Sequence, residues 1–292
     1  MSFSRSLLSL ASWAARILPV SLKQRLYQAR PLADLIRRSL NRAAPQGLTV
    51  VEVAAGGLAG FRMQLDLQSE KDYWLGTYEP ELQAALEALL EPGMIAYDVG
   101  ANIGYISLLL ARRVGDGGRV FAFEALPANL ERLRLNLDLN GKLGVVEIIP
   151  AAVADAERPL QFLVGPSNGM GKVEGSAGRQ GDIYGESLIV PGVSLDAFVY
   201  QQGHPLPHLV KMDIEGGETL ALPGMKRLLM EARPILLLEL HGPQSAQVAW
   251  ELLTEVGYRL CQMRPNFPPV ASLKTLDWKA YLVGLPTHDP QH

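Results

Sequence analysis

The sequence predicts an α/β fold, in which a doubly wound and mostly parallel sheet has helices on both faces and an antiparallel last strand. Short apolar runs that are typical of buried strands alternate along the chain with stretches of helical spacing. The composition, 48% hydrophobic and 20% charged over 292 residues, is that of a globular protein that can bury one extensive core. No helix of convincing length separates the last two strands, and this favours one antiparallel strand at the end of the sheet.

The N-terminal segment is basic and amphipathic. Residues 1–42 contain eight Lys or Arg and one acid, whereas acids outnumber bases in the remainder. Leu7, Leu10 and Ile17 recur at helical spacing, so we predict a basic helical extension over residues 1–47. Two interpretations stay open for residues 1–42: docking on an anionic membrane surface, or packing on the rest of the protein.

A signal peptide is a rival for this segment, but Arg16 interrupts its apolar run and no small-residue cleavage site follows. No run reaches the roughly 18 apolar residues that a spanning helix needs. The lone Cys261 cannot form an intramolecular disulfide, which favours a reducing compartment. We therefore expect a cytoplasmic protein with peripheral contact at the inner face of the membrane, and the acidic remainder predicts no nucleic-acid partner.

The rest of the chain divides into a short lead-in, where alternating runs predict a β-hairpin within residues 48–74, and a long α/β region. The strands expected in that region are Met94–Val99, Arg119–Phe123, Val145–Ile149 with Ala151–Val153 at its edge, Leu209–Asp213, Ile235–Leu240, Tyr258–Met263 and Lys279–Gly284. The helices expected there are Glu81–Leu90, Ser107–Arg113, Ala128–Asn140, Glu218–Glu231 and Ser245–Val256. Residues 165–192 are rich in glycine and are expected to form a long loop, either a substrate-side lid or a flexible surface insertion.

The turn after the first strand of the α/β region has the composition of a ligand-binding turn. Asp98 lies near the strand end, and Gly100, Asn102 and Gly104 lead into a helix whose N-terminus offers unpaired N–H groups. A dinucleotide fingerprint would need glycines where the chain has Asn102 and Tyr105, so a pyrophosphate cradle is disfavoured.

Further polar residues end other strands of the predicted sheet. Glu124 ends the second strand, where a carboxylate can accept hydrogen bonds from ribose hydroxyls, and a solvent-exposed helix cap is the alternative. Asp213 ends a later strand and Glu215 follows it, and either can take the proton of a reacting hydroxyl. Glu239 and His241 end a further strand on the same side, and His241 is the base better matched to neutral pH.

Two neighbours complete this candidate site. Lys211 and Glu218 are expected to tune or orient the acids, and helix capping is the alternative for Glu218. No metal is predicted, although Asp213, Glu215 and His241 as an oxygen-rich divalent-metal site is an alternative.

Five segments occur in a fixed order: DVGANIGY, FAFEALPANLERLRLN, VSLDAF, VKMDIEGGE and LLELHG. Together they resemble the FkbM family of S-adenosylmethionine-dependent methyltransferases over about residues 75–260. The resemblance implies a Rossmann-like methyltransferase domain with a seven-stranded sheet over residues 75–286, and S-adenosyl-L-methionine as its cofactor. Where the family usually has Glu-Pro after the second strand, this chain has Glu124-Ala125, which puts the loop geometry in doubt.

The resemblance also implies roles for individual residues. The methionine and ribose portions of the cofactor would be held by Asp98, Gly100, Asn102 and Gly104, the ribose by Glu124, and the adenine near Ala152, Val153 and Asp155. Tyr78 and Glu79, in a segment that resembles the family's entry segment, would lie on the substrate side. From the residues themselves we place Lys211, Glu218 and Glu239 on the substrate side too, with Asp213, Glu215 and His241 as the catalytic residues. Tyr78 and Glu79 are expected to close over the cofactor, and simple helix-start chemistry is their alternative.

The leading prediction is an O-methyltransferase acting on a hydroxyl of a sugar in a glycan or of a secondary metabolite. A nicotinamide-dependent oxidoreductase is one alternative, because it shares the βαβ architecture and Glu124. A non-catalytic partner that binds the cofactor and docks on a glycan-assembly complex through residues 1–42 is another.

Overall fold

The computed structural model describes residues 43–165, 171–179 and 184–287, together with residues 13, 14 and 38. The basic helix predicted over residues 1–47 therefore lies almost wholly outside the described residues. The chain forms two compact units, residues 1–80 with 138–140, and residues 81–137 with 141–292. In the part of the chain that is described, no helix combines the length and the apolar content needed to cross a membrane.

The first unit contains a two-stranded antiparallel sheet and a short helix. Strands β1 (Leu48–Glu52) and β2 (Arg62–Asp66) pair antiparallel, and helix α1 (Lys71–Leu75) follows them. The helix ends at Gly76, which has φ of 69° and lies so close to Ala55 that a side chain there would overlap the Ala55 carbonyl oxygen. Gly76 is therefore required both by its backbone angle and by this close approach.

The remaining elements form an α/β arrangement. The strands are β3 (Ile95–Val99), β4 (Arg119–Phe123), β5 (Val146–Ile149), β6 (Ala152–Val153), β7 (Pro159–Val164), β8 (Gly171–Val173), β9 (Glu186–Val193), β10 (Leu209–Met212), β11 (Ile235–His241), β12 (Tyr258–Gln262) and β13 (Lys279–Pro286). The helices are α2 (Pro80–Leu89), α3 (Tyr105–Val114), α4 (Pro127–Asp138), α5 (Leu195–Tyr200), α6 (Glu218–Ala221), α7 (Lys226–Glu231) and α8 (Pro243–Glu255).

Seven strands form the central sheet in the order β12-β13-β11-β10-β3-β4-β5. Strands β11, β10, β3, β4 and β5 are parallel, and β13 runs antiparallel to both of its neighbours. The predicted mostly parallel sheet with an antiparallel last strand is confirmed. The expectation that this strand would lie at the end of the sheet is wrong, because β13 lies between β11 and β12.

Burial explains why the central strands have near-continuous apolar sequences. Every residue of β10 is buried, as expected for a parallel strand that is covered on both faces. Aromatic rings fill one layer of the core, where the centroids of Phe123 and Phe198 are 5.0 Å apart. The carboxyl ends of the parallel strands then meet at one edge of the sheet, and this edge carries the polar residues of the candidate site.

Residues 165–192 were expected to form a loop, and this expectation is wrong for much of the segment. Strands β8 and β9 both pair antiparallel with β7, and β6 joins them in a second sheet of order β6-β9-β7-β8. Glycines obscure these strands in the sequence because close packing requires them. A side chain at Gly171 would overlap the Phe162 ring, and one at Gly192 would overlap Leu160.

The prediction of a single helix over Glu218–Glu231 is also wrong, since α6 and α7 are separated by a 3₁₀ turn at Pro223–Met225. Proline lacks the N–H that would continue the helical hydrogen bonds. Gly224 lies against the backbone of Ala154, where a side chain would overlap its carbonyl oxygen. The other predicted elements of the α/β region are present, with ends that shift by a few residues.

Candidate active site

The loop between β3 and α3 is fixed by its backbone. The N–H groups of Gly100 and Ala101 donate to Phe123 O at 3.0 and 2.9 Å. Gly100 and Gly104 have φ of 80° and 92°, the left-handed region that favours glycine. A side chain at Gly100 would overlap the backbone oxygen of Asp213, so this loop directly contacts the end of β10.

Asp98 lies beneath this loop and is fully buried. Its Oδ1 is 3.0 Å from Lys211 Nζ, and its Oδ2 accepts a hydrogen bond from Ser107 Oγ at 2.6 Å. Lys211, also buried, donates to Gly100 O at 2.9 Å. The structure thus places Lys211, expected on the substrate side, with Asp98 in a buried ion pair that supports the loop.

Glu124 supports the same loop from β4 and is only 7% exposed. Its Oε2 accepts a hydrogen bond from Asn102 N at 2.8 Å, and its Oε1 accepts from Ala125 N at 3.0 Å and Leu126 N at 2.8 Å. Burial raises the pKa of Glu124, and the backbone hydrogen bonds oppose this rise. Because it is buried, Glu124 does not fit the alternative of a solvent-exposed cap. The predicted ribose contact would be an additional use of a carboxylate that already organises the loop.

Two features of the loop are suited to a polar ligand. Asn102 has φ of 50°, and its Oδ1 is buried without a hydrogen-bond partner among the described residues. Helix α3 follows with Gly104 as its N-cap, which offers no side-chain hydrogen bond to the first N–H groups. An unsatisfied acceptor beside an uncapped helix N-terminus can bind a ligand that carries both an amine or hydroxyl and a carboxylate.

The residues expected near adenine lie after β5. Ala152 and Val153 form β6 and are buried, and Val153 belongs to the main core. Asp155 is exposed, and its Oδ1 lies 2.9 Å from a guanidinium nitrogen of Arg158. A contact of these residues with adenine stays a prediction.

Tyr78 and Glu79 belong to the first compact unit, after α1. The ring of Tyr78 packs against Tyr73 with centroids 4.3 Å apart, and Glu79 has φ of 43°. Their closure over the cofactor stays a prediction.

Four carboxylates surround His241 at the end of β11, and the imidazole is 2% exposed. Its Nε2 is 3.0 Å from Glu239 Oε1, 3.7 Å from Glu215 Oε2 and 3.8 Å from Asp213 Oδ1, and its Nδ1 is 3.3 Å from Glu218 Oε1. The structure therefore brings together the three predicted catalytic residues with Glu218 and Glu239. Glu215 is held at φ of 53°, an unusual backbone angle for a residue with a side chain.

The cluster shifts the pKa values of its members. Burial, and then repulsion from Glu239, raises the pKa of Asp213 to about 7. Burial opposes the charged form of His241, but hydrogen bonds with Glu218 and Glu239 raise its pKa to about 10. Near neutral pH the imidazole is therefore protonated, while the Asp213 carboxyl is close to its midpoint.

Two side chains that were not predicted from the sequence, Ser245 and Lys279, complete the cluster. Ser245 Oγ donates to Glu218 Oε2 at 3.1 Å, and the only signal for it is its position four residues after His241. Lys279 forms an ion pair with Glu239. It stands opposite His241 in the β11–β13 register, which the sequence does not reveal. Burial works against ionisation of Glu239, but His241 and Lys279 lower its pKa to about 2.

Three members of the cluster have the spacing of a cation site. One ligand atom from each of Asp213, Glu239 and His241 lies within 4.8 Å of the others, a set that a divalent ion can bind. The divalent-metal site considered from the sequence contained Glu215 in place of Glu239. In the structure the Lys279 ammonium already pairs with the Glu239 carboxylate.

The chain matches a known protein family. The sequence model described as "Methyltransferase FkbM domain" matches residues 98–260, more than half of the chain. The chain belongs to the FkbM methyltransferase family. The predicted membership is confirmed, and the nicotinamide-dependent alternative is set aside.

Individual relatives of this FkbM member include the hexuronic acid methyltransferase AglP of Haloferax volcanii, which is 26% identical over 203 residues, covering 68% of this chain and 78% of AglP. Among solved structures, the FkbM methyltransferase of Methylobacillus flagellatus is 18% identical with a TM-score of 0.41, and the match covers 75% of this chain and 53% of that chain. The fibrillarin of Aeropyrum pernix with natively bound S-adenosyl-L-methionine is 12% identical with a TM-score of 0.40, over 70% of this chain and 74% of fibrillarin. The chain thus spans about half the length of the solved FkbM structure.

The chain therefore carries an S-adenosylmethionine-dependent methyltransferase domain, as predicted. The features of its β3–α3 loop fit this cofactor. The buried Asn102 Oδ1 is an acceptor for an amino or hydroxyl group, and the uncapped N-terminus of α3 suits the carboxylate of the methionine portion.

Proposed function

We propose that this FkbM methyltransferase transfers a methyl group to a hydroxyl oxygen of a sugar in a glycan, with a secondary metabolite as the alternative acceptor. The observation that carries the proposal is the position of Asp213. Its carboxyl has a raised pKa and stands at a strand end that contacts the Gly100 loop.

A neutral hydroxyl is a weak nucleophile unless its proton leaves as the new bond forms. S-adenosylmethionine supplies an electrophilic methyl group when it is bound. A carboxylate whose pKa is about 7 is half ionised near neutral pH and accepts a proton readily, so we assign this role to Asp213. We assign His241, protonated under the same conditions, to holding the Asp213 and Glu215 carboxylates in position.

Glu218 acts through His241. Its carboxylate is fully buried and accepts hydrogen bonds from Ser245 Oγ and Ile214 N, so it is fixed while it contacts the imidazole Nδ1. We assign Glu218 to orienting His241 rather than to contact with the acceptor.

Support for a sugar acceptor comes from the relative AglP, which is described as a hexuronic acid methyltransferase. Cytoplasmic location, and membrane contact through residues 1–42, belong to this proposal as expectations about where the acceptor is met.

The test is methyl transfer from labelled S-adenosylmethionine to a panel of sugars and oligosaccharides. Wild type should form methyl ethers, and Asp213→Asn should lose most activity while binding the cofactor normally. A wild-type protein that binds the cofactor but methylates nothing in a fractionated cell extract would favour the non-catalytic partner instead.

A further inference from the structure

An aromatic side chain lies exposed beside the reactive cluster. Trp278 is 42% exposed, and its ring centroid lies 5.9 Å from that of His241. Its backbone is fixed, because Trp278 O accepts a hydrogen bond from Gly242 N at 2.7 Å. An exposed indole next to the proposed catalytic cluster is suited to stacking on a ligand, and a sugar ring is such a ligand.

An arginine accompanies this indole. Arg179 is exposed, and its Cζ lies 5.6 Å from the Trp278 ring. Within the described residues Arg179 forms no ion pair with a carboxylate. Guanidinium groups bind carboxylates through two parallel hydrogen bonds, so this group is suited to an acidic ligand.

Arg179 is brought to this position by a tightly packed turn of the second sheet. The buried Lys172 Nζ donates to Ala177 O at 2.8 Å, and Ala177 N donates to Gly216 O at 3.1 Å. At Gly178 a side chain would overlap the backbone oxygen of Glu215. The turn that precedes Arg179 is therefore fixed, backbone against backbone, on the segment that carries Glu215.

We propose that Trp278 and Arg179 form an acceptor subsite for an acidic sugar, in which the ring stacks on the indole and the sugar carboxylate pairs with the guanidinium. This inference rests on the proposed function and narrows its substrate class to uronic acids. The four carboxylates around His241 outnumber the two cations of the cluster, protonated His241 and Lys279, and so repel the sugar carboxylate. The sugar carboxylate therefore faces Arg179, and a ring hydroxyl is left toward Asp213.

This orientation fixes the product. The hydroxyl oxygen forms the new O–C bond while the methyl–sulfur bond breaks, its proton passes to Asp213, and the sulfonium becomes a neutral thioether. The product is a methyl ether that keeps a free carboxylate, and it withstands mild alkali, which would hydrolyse a methyl ester.

The experiment uses the full chain saturated with S-adenosylhomocysteine, and calorimetry compares methyl glucuronoside with the neutral methyl glucoside. We expect the glucuronoside to bind roughly 10-fold more tightly, because a charge-assisted pair contributes about 1.5 kcal/mol or more. Arg179→Gln should lower the affinity for the glucuronoside to that for the glucoside, and Trp278→Leu should lower the affinity for both sugars. Arg227→Gln is the matched control, since Arg227 also stacks on an aromatic ring, that of Tyr200, away from the cluster.

Each outcome decides between the two proposals. Equal binding of both sugars, binding of neither, or an Arg179→Gln variant that keeps the preference overturns the acidic subsite, while ether formation on a neutral sugar would still uphold the proposed function. Binding that depends on Arg179 without methyl transfer to any acceptor supports the subsite and contradicts the proposed function. An alkali-labile methyl ester as the product would show that the sugar carboxylate accepts the methyl group, and this would contradict the proposed orientation of the sugar.

Discussion

The Lys211 ammonium lies 3.0 Å from the Asp98 carboxylate and 2.9 Å from the carbonyl oxygen of Gly100. The two charged residues stand opposite each other in the register of β10 and β3, and both are buried. One ion pair therefore joins the strand that leads to Asp213 with the loop that fits the cofactor.

Removing one partner of this pair should destabilise the protein strongly. Lys211→Met leaves the Asp98 carboxylate buried without compensation, at an expected cost of about 3–5 kcal/mol in the free energy of unfolding. Urea denaturation measures this cost, and cofactor affinity should fall as well. The double variant Asp98→Asn with Lys211→Met should recover much of the stability, and equal losses in the single and double variants would contradict this account.

Asn102 should contribute to cofactor binding rather than to folding. Asn102→Gly removes the unsatisfied Oδ1 yet tolerates the φ of 50°. We expect cofactor affinity to fall by roughly 10-fold, the worth of one hydrogen bond to a charged group, with little change in thermal midpoint. Calorimetric titration with S-adenosylmethionine measures it, and unchanged affinity would show that the side chain does not contact the cofactor.

Asp213→Asn should lower methyl transfer by about 10²–10⁴-fold, the usual contribution of a general base. It should also stabilise the fold above neutral pH, because the folded state holds the pKa of Asp213 at about 7 against an ordinary value of 3.8. The stability gain should be small near pH 4 and reach on the order of 4 kcal/mol above pH 7. Chemical denaturation at both pH values checks the sign, and a variant that is less stable than wild type at high pH would contradict it.

The rate should rise with pH through about 7 as the Asp213 carboxyl ionises. Glu239→Gln removes a negative charge that raises this pKa, so the acidic limb should move to lower pH. Single-turnover rates measured across the pH range give the midpoint of this rise in rate. A midpoint that moves to higher pH in the variant, or one that lies near pH 10 in the wild type, would assign the proton acceptor to another group.

The rate of methyl transfer should not depend on a bound metal ion. In the trio of Asp213, Glu239 and His241, the positive charges of Lys279 and of the protonated imidazole already neutralise the Glu239 carboxylate. Dialysis against a chelator should leave the rate unchanged, and added Mg²⁺ or Mn²⁺ should not increase it. Loss of activity that is restored by Mg²⁺ would make this trio a metal site.

The sequence predicted the α/β class because strand and helix periodicities are local signals. It also predicted that Asp213, Glu215 and His241 lie close together, since polar residues at the ends of parallel strands share one edge of the sheet. The second sheet escaped prediction because Gly171 and Gly192 interrupt its apolar pattern, and glycine is required there by contacts with residues distant in the sequence.

The partners of the charged residues were harder to predict. Lys211 was expected near the acids that follow it in the chain, but the parallel register with β3 turns it toward Asp98. Lys279 contacts Glu239 only because β13 is antiparallel to β11, a direction and a register that no local pattern encodes. Pairings between strands far apart in the chain therefore decide which carboxylates are neutralised.

The interior position of β13 bears on how the chain is synthesised. Because this strand inserts between β11 and β12, the sheet has a gap until residues 279–286 have left the ribosome. Until then, β11 exposes unpaired backbone that can associate with other nascent chains. A translational stall before Lys279 should therefore yield an aggregation-prone nascent chain rather than a stable, partly folded enzyme.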